Sequence, residues 1–328
     1  VVLGAGASRA ALPDGDKWGR KIPLMTDLIR VLNLEGLFKR YDLENGLDNF
    51  ESVFSSISKN EKYSKLVAEV EIAIQDYFSS LSLPDEVTLY DYLVLMFRNK
   101  DAIITFNWDP FLSQAFQRNS EVVGYEQMPQ IHFLHGNVSI GVCSECRVKG
   151  WRFMTCNKCN KRLEPVRLLY PVDQKDYTKD PFIESEWKCF QFYIQHAYFF
   201  TIFGYSAPQT DVEARNKMLE MWENNSVHDF SQLDLIDIKP EKEVKKNWKD
   251  FIVRDNFSLV NNFLESYVSH HPRRSCDAFG MATLQQNPWK ENPIPKKLTL
   301  KELRDWVKPL VEEEKKGKFS GSPCSKAQ

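Results

Sequence analysis

Val1-Val2-Leu3-Gly4-Ala5-Gly6-Ala7-Ser8 opens the chain. Three apolar residues run straight into a Gly-x-Gly turn, the pattern of a buried strand that ends where a helix begins. Glycines at such a turn let the backbone approach a pyrophosphate while helix N–H groups meet its charge. Arg9 stands where a dinucleotide fingerprint carries its third glycine, so the stretch by itself fits a plain tight turn equally well. No start methionine or signal peptide stands in front of it, and the strand is expected to continue into a few native residues upstream.

Working outward, the same alternation repeats. Asp101-Ala-Ile-Ile-Thr-Phe-Asn107 reads as a strand ended by Trp108-Asp109-Pro110, with the proline suited to the first turn of a helix over 110–118. Ile131-His-Phe-Leu-His135 is a third strand, closed by Gly136. Residues 186–197 read as a helix and 198–203 as a strand, followed by Gly204-Tyr205-Ser206. A helix over 209–224 starts with the acids Asp211 and Glu213, favourable for its dipole. A strand over 233–238 and helical structure over 244–268 follow. Between the first two strands, Leu24, Leu28, Ile29 and Leu32, and later Leu66, Val67, Val70, Ile74 and Phe78, recur at helical spacing. Residues 20–100 are therefore expected to form a helical insertion. Leu300, Leu303, Trp306, Leu310 and Val311 predict a helix over 299–315, either a docking element or, more simply, a helix packed on its own domain. The last dozen residues, from Lys316, read as a flexible tail.

Strands alternating with helices, with glycine or polar residues at the strand ends, predict an α/β fold. It is a Rossmann-like parallel sheet whose ligand site lies at the carboxyl edge. The division expected is 1–138 and 166–285 for the two parts of that domain, 139–165 for a zinc ribbon, and 286–328 for a C-terminal helix and tail.

The 328 residues carry 43 basic and 45 acidic side chains, net −2, which gives no electrostatic argument for nucleic acid. No apolar run approaches the ~18 residues of a membrane span. Four of the seven cysteines form two C-x-x-C pairs, Cys143/Cys146 and Cys156/Cys159. Without a secretory signal this suggests zinc in a reducing, cytoplasmic compartment rather than disulfides. Four thiolates fill a tetrahedral sphere, so the zinc is expected to be structural. Cys189, Cys276 and Cys324 receive no role.

Several polar residues fall at strand ends. Asn107 and Asp109, two apart, can point the same way and orient a carboxamide and ribose hydroxyls, although Asp109 also fits as a helix cap. His135 can serve as a general base, its ordinary pKa being about 6.5, or as a buried, hydrogen-bonded histidine. His132 needs no role. Asp237, near the end of the late strand, can hold ribose hydroxyls or cap a helix.

The order of these elements resembles the sirtuin family over residues 1–240 or so: Gly-Ala-Gly-Ala-Ser, Thr-x-Asn-x-Asp, His-Gly, two C-x-x-C pairs, then Gly-x-Ser and a strand with a polar residue. The resemblance implies NAD in a cleft between a Rossmann-like domain and a zinc ribbon. By it, Gly4, Ala5, Gly6 and Ser8 hold the phosphates and the adjoining ribose. Asn107 positions a ribose or the attacking water, Asp109 binds the nicotinamide carboxamide, and His135 is the base. Gly204 and Ser206 contact the adenosine side, and Asp237 takes a ribose-binding place.

Departures narrow the expectation. Protein-deacylating sirtuins carry Gly-Ile-Pro-Asp-Phe-Arg where this chain has Lys21-Ile22-Pro23-Leu24-Met25-Thr26. Their Thr-Gln-Asn is Thr105-Phe106-Asn107 here, and their Gly-Thr-Ser is Gly204-Tyr205-Ser206. The changes look like the sirtuin-like branch of bacterial antiphage defence, whose members are similar to NAD hydrolases that deplete the cofactor in abortive infection. That branch implies restraint by homo-oligomerisation or by a partner such as a HerA-type ATPase. A sirtuin-type deacylase or ADP-ribosyltransferase, and a non-catalytic NAD or ADP-ribose sensor, are the alternatives.

Overall fold

A computed structural model describes residues 1–43, 46–172, 176–206, 211–284 and 289–316. Of the tail expected from Lys316, residues 317–328, with Cys324, lie outside the described residues.

Along the chain, strand β1 (Val2–Leu3) leads into helix α1 (Ala5–Ala11). Helices α2 (Leu28–Val31), α3 (Glu35–Lys39), α4 (Phe50–Ser58), α5 (Ser64–Ser80) and α6 (Leu89–Met96) then separate β1 from β2 (Ala102–Thr105). The apolar run at 24–40 is not one helix. Asn33 adopts a left-handed φ of 52° between α2 and α3, a conformation that a helix cannot propagate. Within α5, Leu66, Val70, Ile74 and Phe78 are buried, a single stripe at four-residue spacing. Helix α7 (Phe111–Val123) and strand β3 (Gln130–Phe133) follow.

Strands β4 (Ile140–Val142), β5 (Lys149–Trp151) and β6 (Glu164–Pro165) form a separate antiparallel sheet in the order β5-β4-β6. The chain continues through α8 (Pro181–Gln195), β7 (Phe199–Phe203), α9 (Val212–Glu223), β8 (Gln232–Ile236), α10 (Glu241–Trp248) and β9 (Phe257–Val260). Strand β9 corrects the helical reading of 244–268. Arg254 and Asp255 take left-handed φ values of 48° and 60°, which ends helical structure before Phe257-Ser-Leu-Val260 pairs with β8. Helices α11 (Tyr267–His270), α12 (Ser275–Leu284) and α13 (Leu300–Lys315) complete the described chain.

The main sheet is parallel, in the order β3-β2-β1-β7-β8-β9. The chain builds outward to one side, returns to the middle and builds outward to the other, so the order reverses between β1 and β7. Such a switch point is where an open α/β sheet receives its ligand, outside the carboxyl ends of the strands. The register sets what emerges there. Leu3 pairs with Thr105 and with Phe203, and Thr105 pairs with Phe133. Gly4, Phe106, Leu134 and Gly204 therefore leave the sheet side by side.

Helices cover both faces, so the strands are apolar nearly throughout. One exception is Asp234 in the middle of β8. It is fully buried, and neither carboxylate oxygen has a hydrogen-bond partner. Burial pushes its pKa up to about 8. Helix α13 buries Leu303, Val307, Val311 and Glu314. Arg304 donates to Asn119 of α7, and Glu314 pairs with the buried Arg273 at 2.6 Å. The helix thus packs on its own chain, the simpler of the two readings of its apolar stripe. Among the described residues no helix is long and apolar enough to cross a membrane.

Candidate active site

The two glycine turns at the switch point are seated on each other. Gly4 N–H donates to Phe203 O at 3.1 Å, and Gly6 N–H donates to Gly204 O at 2.9 Å. A Cβ on Gly4 would fall 2.6 Å from Gly204 O, and one on Gly6 2.8 Å from it. On Gly204, whose φ is +62°, a Cβ would fall 2.3 Å from Ala7 N. The three glycines are thus required by turn-on-turn packing, whatever ligand the edge receives. Ala5, Gly6, Gly204, Ser206 and Asp237 remain half-buried along the accessible lip, while Gly4 and Ser8 are buried behind it.

Behind the lip, Ser8, Asn107 and Asp109 form one buried hydrogen-bonded group with Tyr90. Ser8 Oγ donates to Asp109 Oδ2 at 2.6 Å. Its one proton being used, it accepts from the Tyr90 hydroxyl at 2.6 Å and from Asn107 Nδ2 at 2.9 Å. Asn107 Nδ2 also donates to Gly4 O at 2.8 Å, tying the second strand to the first turn. Asp109 Oδ1 also accepts Phe111 N–H at 3.3 Å, at the start of α7, whose N-cap position is Pro110. Asn137 braces the group by donating to Asp109 O at 2.6 Å and Asn107 O at 3.2 Å. Burial raises the Asp109 carboxyl to about 6, against the opposing pull of the Ser8 hydrogen bond. Burial and the Asp109 charge push Tyr90 well above the usual phenol range, so it stays a neutral donor.

Sequence reasoning missed Tyr90. It enters from α6, 82 residues from Ser8, and nothing local to Thr88-Leu-Tyr-Asp91 signals the contact.

His135 stands two residues past β3. Gly136 turns the chain directly after it with φ +75°, and a Cβ there would meet Arg167 O at 2.2 Å. The imidazole is buried. The Phe106 ring meets it edge-on at 4.8 Å, and the Tyr177 ring lies parallel to it at 6.2 Å. Its Nε2 is 4.0 Å from Asp211 Oδ1. The Tyr205 hydroxyl donates to Asp211 Oδ2 at 2.6 Å and the Tyr177 hydroxyl to Oδ1 at 3.3 Å. Phe106 and Tyr205 stack at 4.4 Å, their planes 15° apart. His132, by contrast, sits 3.6 Å from Glu186, which also accepts Phe133 N–H at 2.7 Å and a 2.9 Å ion pair from Lys149. That is a structural arrangement.

Asp237 lies one residue past β8. Its Oδ1 accepts Lys239 N–H at 3.0 Å and closes a local turn. Ser206 offers its carbonyl to Asn247 Nδ2 at 3.4 Å. Both belong to the lip, and these hydrogen bonds run to Lys239 and Asn247 rather than to the two buried groups behind it.

Cys143, Cys146, Cys156 and Cys159 bring their sulfurs within 4.8 Å of one another. With Leu163 and Val148 they make a small core of their own. Cys146 N–H points to Cys143 Sγ and Lys158 N–H to Cys156 Sγ, each at 3.4 Å. The N–H groups of Lys158 and Cys159 lower the Cys156 thiol to about 7, and hydrogen bonding to the neighbouring sulfurs, that of Cys159 foremost, pushes Cys146 up to about 12. Thiols this close cannot all ionise without a cation among them, and a tetrahedral zinc fits the set.

No protein-family model and no curated protein matches the chain. Solved structures do. A Sir2 homologue in complex with NAD is 13% identical, over 94% of this chain and 89% of that one, with a TM-score of 0.35. A structure from work on the mechanism and regulation of Sir2 enzymes is 13% identical over 76% and 90%, with a TM-score of 0.34. A mutant Sir2 homologue bound to ADP-ribose is 11% identical over 76% and 88%, with a TM-score of 0.32.

Proposed function

We propose that this chain hydrolyses NAD at the nicotinamide–ribose bond, giving nicotinamide and ADP-ribose. The observation that carries the reading is the convergence of two buried polar groups under the switch point. Ser8, Asn107 and Asp109 form one, His135 and Asp211 the other, and Phe106, next to Asn107, touches the His135 ring.

NAD fits what is present. The half-buried lip of Ala5, Gly6, Gly204, Ser206 and Asp237 offers backbone and small polar groups to the phosphates and adenosine. Asn107 and Asp109 stand behind it for the nicotinamide half. In the reaction, the bond from the anomeric carbon to the ring nitrogen breaks, and its electron pair neutralises the pyridinium. Water bonds to that carbon, and His135 takes the proton and returns it to solvent. Nicotinamide leaves well, so the protein's task is to orient water and to stabilise the positive charge that grows on the sugar. An ionised Asp109 supplies a buried negative charge for that purpose. Cys143, Cys146, Cys156 and Cys159 would hold a zinc ion as a cross-link of the ribbon, and it would supply no chemistry to the reaction.

The stacked pair Phe106 and Tyr205 favours hydrolysis over deacylation. These are the two positions where a deacylase carries Gln and Thr, and here they fill one another's space beside His135. A role in antiphage defence, homo-oligomerisation and a HerA-type partner are proposed on the motif resemblance alone. They are tested by phage plating with the wild type and His135→Ala, and by co-purification with the ATPase. The enzymatic reading is tested by nicotinamide release from NAD without any acylated peptide. Release that depends strictly on an acyl-lysine peptide would establish the deacylase instead.

A further inference from the structure

An acid at the start of α9 has an ordinary explanation, which is capping. Asp211 is not used that way. It occupies the N-cap position, yet its side chain makes no capping hydrogen bond. It is buried, with only 4% of its surface exposed, and its two oxygens receive the hydroxyls of Tyr177 and Tyr205. A carboxylate is costly to bury unless it has polar partners. The edge it turns to His135 brings Oδ1 to 4.0 Å from Nε2.

We propose that Asp211 is the positioning residue for His135, holding the imbalance of charge and the ring orientation that a general base needs, with Tyr177 and Tyr205 fixing the carboxylate. The proposal rests on the hydrolase reading of the same site and adds a residue to it. At 4.0 Å from Nε2 the carboxylate acts on the ring through its charge rather than through a hydrogen bond. The negative charge then stabilises the imidazolium that forms. Burial, with the Asp211 charge next in weight, raises both tyrosines far above the usual phenol range, so they remain donors. Among the described contacts, Asp211 ahead of α9 and Tyr177 ahead of α8 face the ring, and Tyr205, past β7, reaches the carboxylate. Glu213 of α9 and Glu51 of α4 act on those tyrosines from farther off.

The test uses the full chain and two readouts. NMR titration of the histidine rings follows wild type, Asp211→Asn and Asp211→Glu, with the His135 signals identified by their loss in His135→Ala. The His135 pKa is expected to fall by about one unit or more in Asp211→Asn. It should stay near its wild-type value in Asp211→Glu, which keeps the charge, and His132 should not move in either. An unmoved His135 in Asp211→Asn overturns the proposal. On NAD, Asp211→Asn should lower kcat by about 100-fold or more with a small change in KM, and move the acid limb of the rate profile to lower pH. An unchanged kcat overturns it equally. If the wild type itself leaves NAD intact, the hydrolase reading falls, and the titration still decides whether Asp211 controls His135.

Discussion

Phe106 and Tyr205 lie face to face, ring centroids 4.4 Å apart, although one follows β2 and the other follows β7. The strand between them, β1, ends in the glycine turn. Phe106 presents its edge to His135, and the Tyr205 hydroxyl reaches Asp211. Two positions that look like independent departures from a deacylase in the sequence are one packed unit in the fold, and that unit borders both His135 and Asp211.

The turn-on-turn packing predicts an asymmetry among glycines. Gly204→Ala combines a left-handed φ with a 2.3 Å approach to Ala7 N. It should lower unfolding stability by about 1–3 kcal/mol or more. Gly36, inside α3, has nothing within 4 Å of an added Cβ. Gly36→Ala should therefore raise stability by about 0.5–1 kcal/mol. Denaturant midpoints of the two variants check both signs, and a neutral Gly204→Ala would show that the turns are not tightly seated.

Metal analysis should find about one zinc per chain, lost on Cys143→Ser together with order in the ribbon. Chelation should abolish the amide signals of β4, β5 and β6 before those of the parallel sheet, because the cysteine cluster is a core separate from the main one. A metal-free chain with an intact ribbon would contradict the assignment.

Asp234 predicts a pH dependence of stability. Its folded pKa, about 8, lies above the ordinary 3.8 of an aspartate. From about pH 4 to 8 the folded state therefore holds a proton that the unfolded state has lost. Stability on this account is fully present below pH 4 and declines as pH rises, by up to about 1.4 kcal/mol per unit. Asp234→Asn removes the charge and should flatten that slope, so its advantage over wild type grows with pH. Parallel curves for the two proteins would show that Asp234 is not proton-bound in the fold.

Much of this architecture can be read from residue order. Short apolar runs ending in Gly4, Asn107, Gly136 and Gly204 signal strands whose carboxyl ends gather ligand-binding groups, and paired C-x-x-C spacing signals the thiol cluster. Each is a local pattern. What escaped reading is set by tertiary contact. Tyr90 joins Ser8 from a helix in the insertion, and Asp211 looks like any acid at a helix start until the fold turns it toward His135. Strand β9 was hidden because Phe257, Leu259 and Val260 suit a buried helix face as well as a strand. Only the left-handed residues before them and the pairing with β8 decide between the two.

The central claim is tested most directly by incubating the purified chain with NAD alone, beside Asn107→Ala and His135→Ala, and measuring nicotinamide. Release by the wild type, reduced by about 100-fold or more in each variant, is the predicted result. Equal release by wild type and variants would place the activity elsewhere. NAD left intact by the wild type, while calorimetry shows that it binds, would mean that the cleft senses the nucleotide and does not cleave it.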